Sequence, residues 1–543
     1  MSSEPRLLTP FGTASLLVRS LFDIGLRHVI ISPGSRSTPL TMAFSYHKGF
    51  KKEIILDERS AAFTALGIGK ATGMPAILVC TAGTALANYH PAVSEARQSG
   101  VPMILCTADR PPSLRGVGSS QTLDQIKLFG DSAVWFHELG EPADSESDKR
   151  RIAYVARQAK SEATETGGAA HLNLPFRKPL EPSASEIEQA VSLFEEQMSN
   201  SSSQNAARPY SRRVSLSEDL SSIINESRLP LIVAGPGDPW RSQAHSIHHL
   251  ADFLQAPIVA EPGSSVLSHE HRIDNFEQYL RHETSSKELT PDLILRFGDQ
   301  PYTKSLLTVL HRWRDVPLIH FSGRSATQDH EMSIDHTVEL KAGDTLDIHS
   351  LRPKQRSGFL DSWLSSDSNA ASLMVNTLEQ QPTLCDGHLF HHLAGLLTNE
   401  WNVIYSNSLP VRDAALFGYP DSQIFLNRGA AGIDGITSTA YGTYKATHRP
   451  TCCIIGDLAF LHDSNALLAL RQLEYPFVIV VVNNGGGNIF RMLPIHQHKE
   501  VYTPYFETPQ DVNIRDLANA HGISYSRVES ISEIAKNLSQ IGR

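Results

Sequence analysis

Thr451-Cys452-Cys453-Ile454-Ile455-Gly456-Asp457, followed by Phe477-Val478-Ile479-Val480-Val481-Val482-Asn483-Asn484-Gly485-Gly486-Gly487, decides the reading of this chain. Both stretches are unalternated apolar runs, the pattern of strands covered on both faces. Leu467 to Leu473, between them, reads as a helix. Strand–helix–strand implies a parallel pair, so Asp457 and Asn484 fall at the same carboxyl-terminal edge of one sheet. Ligands of open α/β sheets bind at that edge. A carboxylate and an amide oxygen there, backed by three glycines, suit a hard divalent cation that holds a diphosphate. Mg²⁺ fits best, because it takes few protein oxygens and leaves the rest to phosphate. Two ordinary turns are the competing reading.

Working outward, similar short apolar runs recur along the chain. The first third offers His28–Ile31, Glu53–Leu56, Ala76–Cys80, Met103–Cys106 and Ala170–Leu174, with helical stretches at Ser60–Thr72 and Ala85–Gln98. The middle offers Leu231–Ala234, Ile258–Ala260, Leu293–Arg296 and Leu318–Phe321. The last third adds Asn402–Tyr405 and Gln423–Leu426. Met198–Arg213, rich in Ser and Asn, and Leu351–Gly358 read as linkers. The fold class that results is α/β, with three doubly wound parallel-sheet domains at 1–197, 214–350 and 359–543.

The bulk properties agree. At 543 residues the chain is too long for one core. A net charge of −10 excludes a nucleic-acid coat, which needs a basic face. The first residues lack a basic and apolar leader, and Val478–Val482 is too short to cross a bilayer, so no membrane span is expected. Four of the five cysteines lie in apolar runs without metal-ligand spacing, which points to a reduced, cytoplasmic protein. No Gly-x-Gly-x-x-Gly follows a first strand, which argues against a nicotinamide dehydrogenase.

Other candidate residues also sit just past strands. Glu58 follows Ile54-Ile55-Leu56 and opens a helix-like stretch; read alone, it is a good first-turn carboxylate. Arg36 lies in Pro33-Gly34-Ser35-Arg36-Ser37, Arg110 in Ala108-Asp109-Arg110-Pro111, Arg412 in Ser406-Asn407-Ser408-Leu409-Pro410-Val411-Arg412, and Arg428 in Asn427-Arg428-Gly429. Any one arginine is ordinary surface. Four at strand ends suit substrates with several carboxylates, which guanidinium grips bidentately.

Gly456-Asp457, then Asn483-Asn484, resembles the thiamine-diphosphate signature, with Leu458 where that signature has a second Gly. The resemblance implies that Asp457, Asn484 and the main-chain carbonyl of Gly486 bind Mg²⁺, with Mn²⁺ as a substitute, and that Gly456, Leu458, Asn484 and Gly486 line the diphosphate. It implies that Glu58 meets the aminopyrimidine and exchanges a proton there, a task that a raised pKa helps. With the arginine motifs and Asp57-Glu58-Arg59, the chain is similar to the 2-succinyl-5-enolpyruvyl-6-hydroxy-3-cyclohexene-1-carboxylate synthase family of menaquinone biosynthesis, from about residue 10 to about residue 500.

That resemblance implies a transferase. It decarboxylates 2-oxoglutarate on thiamine diphosphate and adds the succinyl carbanion equivalent to isochorismate. The three domains become aminopyrimidine-binding, central, and diphosphate- and Mg-binding. Glu58, Arg412 and Arg428 are the implied catalytic set. Ser35, Arg36, Arg110, Gln121, Lys304, Arg412 and Arg428 are implied to bind substrate, and Ser408 the diphosphate end. Ile433 is the implied apolar wedge under the cofactor. Ile489, Phe490 and Leu493 are implied to wall the isochorismate ring, with ordinary core as the rival reading. Homodimers or homotetramers with active sites at the subunit interface are expected. Two departures stand out: Ser305 replaces a basic neighbour of Lys304, and a last strand and helix are not legible before Arg543, as a truncated chain would show. Another thiamine-dependent 2-oxo-acid decarboxylase or acetolactate-synthase-like carboligase is the alternative; it leaves the arginines unexplained. An inert thiamine-fold regulator is a weaker one.

Overall fold

The computed structural model describes residues 7–201, 212–324, 328–471 and 473–539. Its contacts divide the chain into two compact units. One comprises Met1–Arg208, Asn427–His448 and Leu461–Gln472. The other comprises Pro209–Leu426, Arg449–Phe460 and Leu473–Arg543.

The first unit is built on a six-stranded, wholly parallel sheet. Its strands are β1 (His28–Ile31), β2 (Lys51–Ile54), β3 (Ala76–Cys80), β4 (Met103–Asp109), β5 (Ala133–Glu138) and β6 (Ala169–Pro175), in the order β2-β1-β3-β4-β6-β5. Every residue of β3, β4 and β6 is buried, as the unalternated runs require. The order reverses between β1 and β3, so the loops after them flank the sheet's switch point. The helix Glu58–Thr72 starts on Asp57, whose carboxylate accepts from Arg59 N and Ser60 N, and ends at Gly73, with φ of 68°. It packs on the helix Ile436–Thr447 through two glycines. A Cβ on Gly67 would lie 2.1 Å from the Thr439 carbonyl oxygen, and one on Gly442 would lie 2.1 Å from that of Thr64.

In the second unit, β8 (Pro230–Ala234), β9 (Ile258–Ala260), β10 (Arg272–Ile273), β11 (Leu293–Phe297), β12 (Leu318–Ser322) and β13 (His336–Glu339) form a parallel sheet ordered β10-β9-β8-β11-β12-β13. Ile232 and Ala234 of β8 enter one core, Leu231 and Val233 another, so both faces are covered. A small parallel pair joins β7 (Arg213–Ser215) to β14 (Thr345–Asp347). The third sheet, ordered β16-β15-β17-β18, contains β15 (Asn402–Tyr405), β16 (Gln423–Phe425), β17 (Thr451–Gly456) and β18 (Phe477–Val482), all parallel.

Several sequence expectations need correction. The link from β17 to β18 is not one helix at Leu467–Leu473. It is a short helix, Asp457–His462, followed by a 3₁₀ segment, Ser464–Ala469. The second strand runs Lys51–Ile54 rather than Glu53–Leu56, because Asp57 already caps the next helix. The helix Ala184–Ser201 runs into the expected linker at Met198–Arg213, of which 202–211 lie outside the described residues. Beyond β18 the chain forms helices at Ile514–Ala520 and Ile531–Ser539, although no strand follows β18 among the described residues. The expectation about the last residues, 540–543, also lies outside them. No helix among the described residues is long and apolar enough to cross a membrane.

Candidate active site

β17 and β18 are paired to their tips, with Gly456 opposite Val482. Asp457 therefore follows one tip and Asn483-Asn484 the other. The Asp457 carboxylate is 8% exposed and accepts Leu458 N at Oδ1 (2.9 Å) and Gly486 N at Oδ2 (2.7 Å). These bonds draw the glycine turn onto the carboxylate and still leave it free lone pairs. Gly486 has φ of 123°, and a Cβ there would lie 2.1 Å from the Glu507 carbonyl oxygen, so only glycine fits. Among the described residues nothing lies within 4 Å of a virtual Cβ on Gly456 or Gly485, so that side of the tips is open. Asn484 is exposed, and its amide oxygen accepts from Asn488 Nδ2 at 3.3 Å. A carboxylate, an amide oxygen and a carbonyl beside open space are a hard-donor set that fits Mg²⁺ and a diphosphate. Leu458 is tolerated in place of glycine because it lies in the helix Asp457–His462, where no positive φ is required.

The neighbouring tip, of β15, supplies a second element of the same edge, since Ser406 N donates to the Ile454 carbonyl (2.8 Å). Ser408 has φ of 74° and stands at the N-cap of the helix Leu409–Phe417 without a side-chain capping bond. Its hydroxyl and the first helical N–H groups are suited to an anionic oxygen. A non-glycine residue held at positive φ on such a tip is the strained geometry that functional sites retain. Arg412, one turn on, folds its guanidinium back to the Ser408 carbonyl. Next to it, burial and then Asp386 push the Asp413 carboxyl up to about 7. After the glycine turn, Ile489 and Phe490 are half-buried and Leu493 is 51% exposed, so this segment presents apolar surface. Lys304 is exposed at the start of the helix Lys304–Arg312, whereas Ser305 is buried and bonds to Glu277. A basic side chain at 305 would have to enter that core, which accounts for its absence.

In the first unit, Glu58 opens its helix half-buried, and desolvation, with the Asp57 charge adding to it against an opposing main-chain bond, leaves its carboxyl above the usual range. The loop before the helix Ile436–Thr447 carries Arg428 and Ile433, both half-exposed. It is tied to the Glu58 helix at Gly435 (φ 66°), where a Cβ would overlap the Phe63 ring. Around the switch point, Arg36 is buried and donates from Nη1 to the Phe176 carbonyl (2.8 Å), while its main-chain N reaches Thr81 Oγ1 (3.2 Å). Ser35 is exposed beside it. Arg110 donates from Nη2 to the Ser120 carbonyl (2.8 Å) and so holds the loop in which Gln121 adopts φ of 52°.

Two groups that the sequence reading missed complete this unit. Glu95 is buried on the helix His90–Ser99 and accepts Gly429 N and Ala430 N; Lys70 lies 3.9 Å away. Asp463 is buried and accepts Ser438 N (2.8 Å), Ser438 Oγ (2.9 Å) and Ser60 Oγ (3.4 Å), and burial pushes its carboxyl up to about 6. The available signal was a charged residue on an apolar stripe: Glu95 shares its face with Ala92, Ala96 and Ser99. A histidine-rich face elsewhere, with Asp252, His269 and His271 grouped, has both ring nitrogens of His269 already hydrogen-bonded, to Asp252 and to His271 N.

Two family models match the chain. The thiamine pyrophosphate enzyme N-terminal TPP binding domain covers residues 12–128, and the corresponding C-terminal TPP binding domain covers residues 414–541. Together with the parallel sheets and the β17–β18 tips, they define a thiamine-diphosphate-dependent enzyme. The chain is 35% identical to the 2-succinyl-5-enolpyruvyl-6-hydroxy-3-cyclohexene-1-carboxylate synthase of Bacillus pumilus (strain SAFR-032), over 94% of this chain and 88% of that protein. It is 35% identical to the synthase of the same name from Gloeothece citriformis (strain PCC 7424), covering 97% and 93%. With that of Geobacillus kaustophilus (strain HTA426) the identity is 36%, covering 97% and 92%. The chain belongs to the 2-succinyl-5-enolpyruvyl-6-hydroxy-3-cyclohexene-1-carboxylate synthase family.

Proposed function

We propose that this enzyme decarboxylates 2-oxoglutarate and adds the succinyl remainder to isochorismate, giving 2-succinyl-5-enolpyruvyl-6-hydroxy-3-cyclohexene-1-carboxylate. The observation that carries this reading is the Asp457–Gly486 bond at the tips of β17 and β18, in a chain of this family. Thiamine diphosphate, when bound with Mg²⁺, supplies the electron sink for decarboxylation and carbon–carbon bond formation. Asp457, Asn484 and the Gly486 carbonyl would hold the metal, and Ser408, Gly456 and Leu458 would line the diphosphate. Glu58 would hold and release the proton that the aminopyrimidine of that cofactor needs, a role that its raised pKa supports.

Ile433 would supply an apolar support for the cofactor. Arg412 and Arg428 grip the 2-oxoglutarate-derived group, Arg36, Arg110, Gln121, Lys304 and Arg412 take isochorismate, with Ile489, Phe490 and Leu493 against its ring, and Ser35 binds substrate beside Arg36. Arg36 would have to release the Phe176 carbonyl, or bind through its remaining N–H groups, to do so. The chain works as a cytoplasmic homo-oligomer of domains 1–197, 214–350 and 359–543, with each active site shared by two copies.

The test is a steady-state assay with both substrates, thiamine diphosphate and Mg²⁺, read by mass spectrometry of the product. The adduct carrying both carbon skeletons is expected. Release of succinic semialdehyde alone, unchanged by isochorismate, would favour a simple decarboxylase; an acetolactate-type product from pyruvate would favour the other carboligase.

A further inference from the structure

We infer that Glu95 is a positioning residue for the reaction. Its buried carboxylate sets the main-chain path that presents Arg428 and Ile433. The inference rests on the reading above for what those two residues do, but the clamp itself is a matter of geometry. Glu95 is 3% exposed on the helix His90–Ser99. Its Oε1 accepts Gly429 N at 2.9 Å and its Oε2 accepts Ala430 N at 2.6 Å. One carboxylate thus holds two consecutive N–H groups, immediately after Arg428 and three residues before Ile433. Gly429 is needed for that approach: a Cβ there would lie 2.7 Å from Ser99 N and 2.8 Å from the Glu95 carbonyl oxygen.

The loop is irregular. Ala431 takes φ of 58° and Gly435 takes φ of 66°, and Arg428 to Asp434 contains no regular element. Two of its anchors are Glu95 at the front and the Phe63 ring against Gly435 at the back. Between them lie one guanidinium and one sec-butyl side chain, those of Arg428 and Ile433, both half-exposed. Burying a charged carboxylate is costly unless it is paired and hydrogen-bonded. Here Lys70, 1% exposed on the helix Glu58–Thr72, supplies the opposite charge at 3.9 Å, and the loop supplies the donors. The same carboxylate therefore links the helix that begins at Glu58, through Lys70, to the loop that bears Arg428.

The experiment compares wild type with Glu95→Gln. The amide is nearly isosteric, but it retains one acceptor and turns an N–H donor toward the second loop N–H. Hydrogen exchange of the apoprotein is read by mass spectrometry over the 427–434 peptide and, as a control, over 436–447. Exchange in 427–434 is expected to speed up about tenfold or more, the size of one lost charge-assisted hydrogen bond, with 436–447 unchanged. In the assay, KM for 2-oxoglutarate and kcat are expected to change while KM for isochorismate does not. If the amide variant fails to fold, Gly429→Ala offers the second test, since it displaces the same loop from the helix without touching either charge.

Unchanged 427–434 exchange would overturn the clamp, whether or not the wild type makes product. Faster exchange with unaltered kinetics, in a wild type that makes the adduct, would overturn the positioning role. A wild type that makes no adduct would sink the functional reading and leave the exchange result to judge the clamp separately.

Discussion

Glu58 shows how a single residue acquires a task from its surroundings. At the start of an ordinary helix it would be a dipole-favoured carboxylate; half-buried beside Asp57, its pKa is raised, with desolvation as the main cause. Glu58→Gln is expected to reduce kcat by about 10²–10⁴-fold, the usual weight of a general acid–base group, while thiamine diphosphate still binds with Mg²⁺. Near-normal turnover in that variant would remove Glu58 from the mechanism. Glu58, Asp457 and Asn484 were legible because each follows an apolar run within a few positions. Glu95 was not, because its partners Gly429 and Ala430 are more than 330 residues away in sequence. Ser305 looked like a lost charge, yet the structure makes it a buried hydroxyl on Glu277.

At the scale of elements, the crossing of the helices Glu58–Thr72 and Ile436–Thr447 depends on glycine on both sides. Gly67→Ala is expected to destabilise the protein by about 1–3 kcal/mol, as overpacking does, and differential scanning calorimetry should show the lower Tm. The same crossing is tied by Asp463, which bonds to Ser60 and Ser438. Its folded pKa, about 6, lies above its unfolded value, so the folded state holds the extra proton. The stability contributed by the neutral form is complete below about pH 4 and is lost as pH rises through 6. Wild type should therefore lose about 1 kcal/mol relative to Asp463→Asn between pH 5 and pH 7.5, read from denaturant midpoints. A pH-independent difference would contradict this.

Most of the strands that were legible are continuous apolar runs: β3, β4 and β8 are buried throughout, whereas β18, at the edge of its sheet, is buried only at Val482. β5, a mixed Ala133-Val134-Trp135-Phe136-His137-Glu138 edge strand, and the short β7, β10, β13 and β14 gave no such pattern. The helix expected at Leu467–Leu473 failed for a related reason. Leucine spacing marked a buried stretch, but the helical turn had already begun at Asp457.

At the scale of the molecule, three parallel sheets each present the loops at their carboxyl-terminal tips, and the candidate residues lie on those loops or on the helices that follow. The proposed sharing of each site between two copies predicts that an active sample elutes from size-exclusion chromatography as a dimer or larger. Activity confined to a monomer peak would contradict it. The central claim, that a divalent ion and a diphosphate are held at the tips of β17 and β18, is tested most directly by calorimetric titration of thiamine diphosphate into wild type and Asp457→Ala, with and without Mg²⁺. The account predicts Mg²⁺-dependent binding to wild type that the substitution abolishes. Equal affinity in the two proteins, or binding indifferent to the metal, would contradict it.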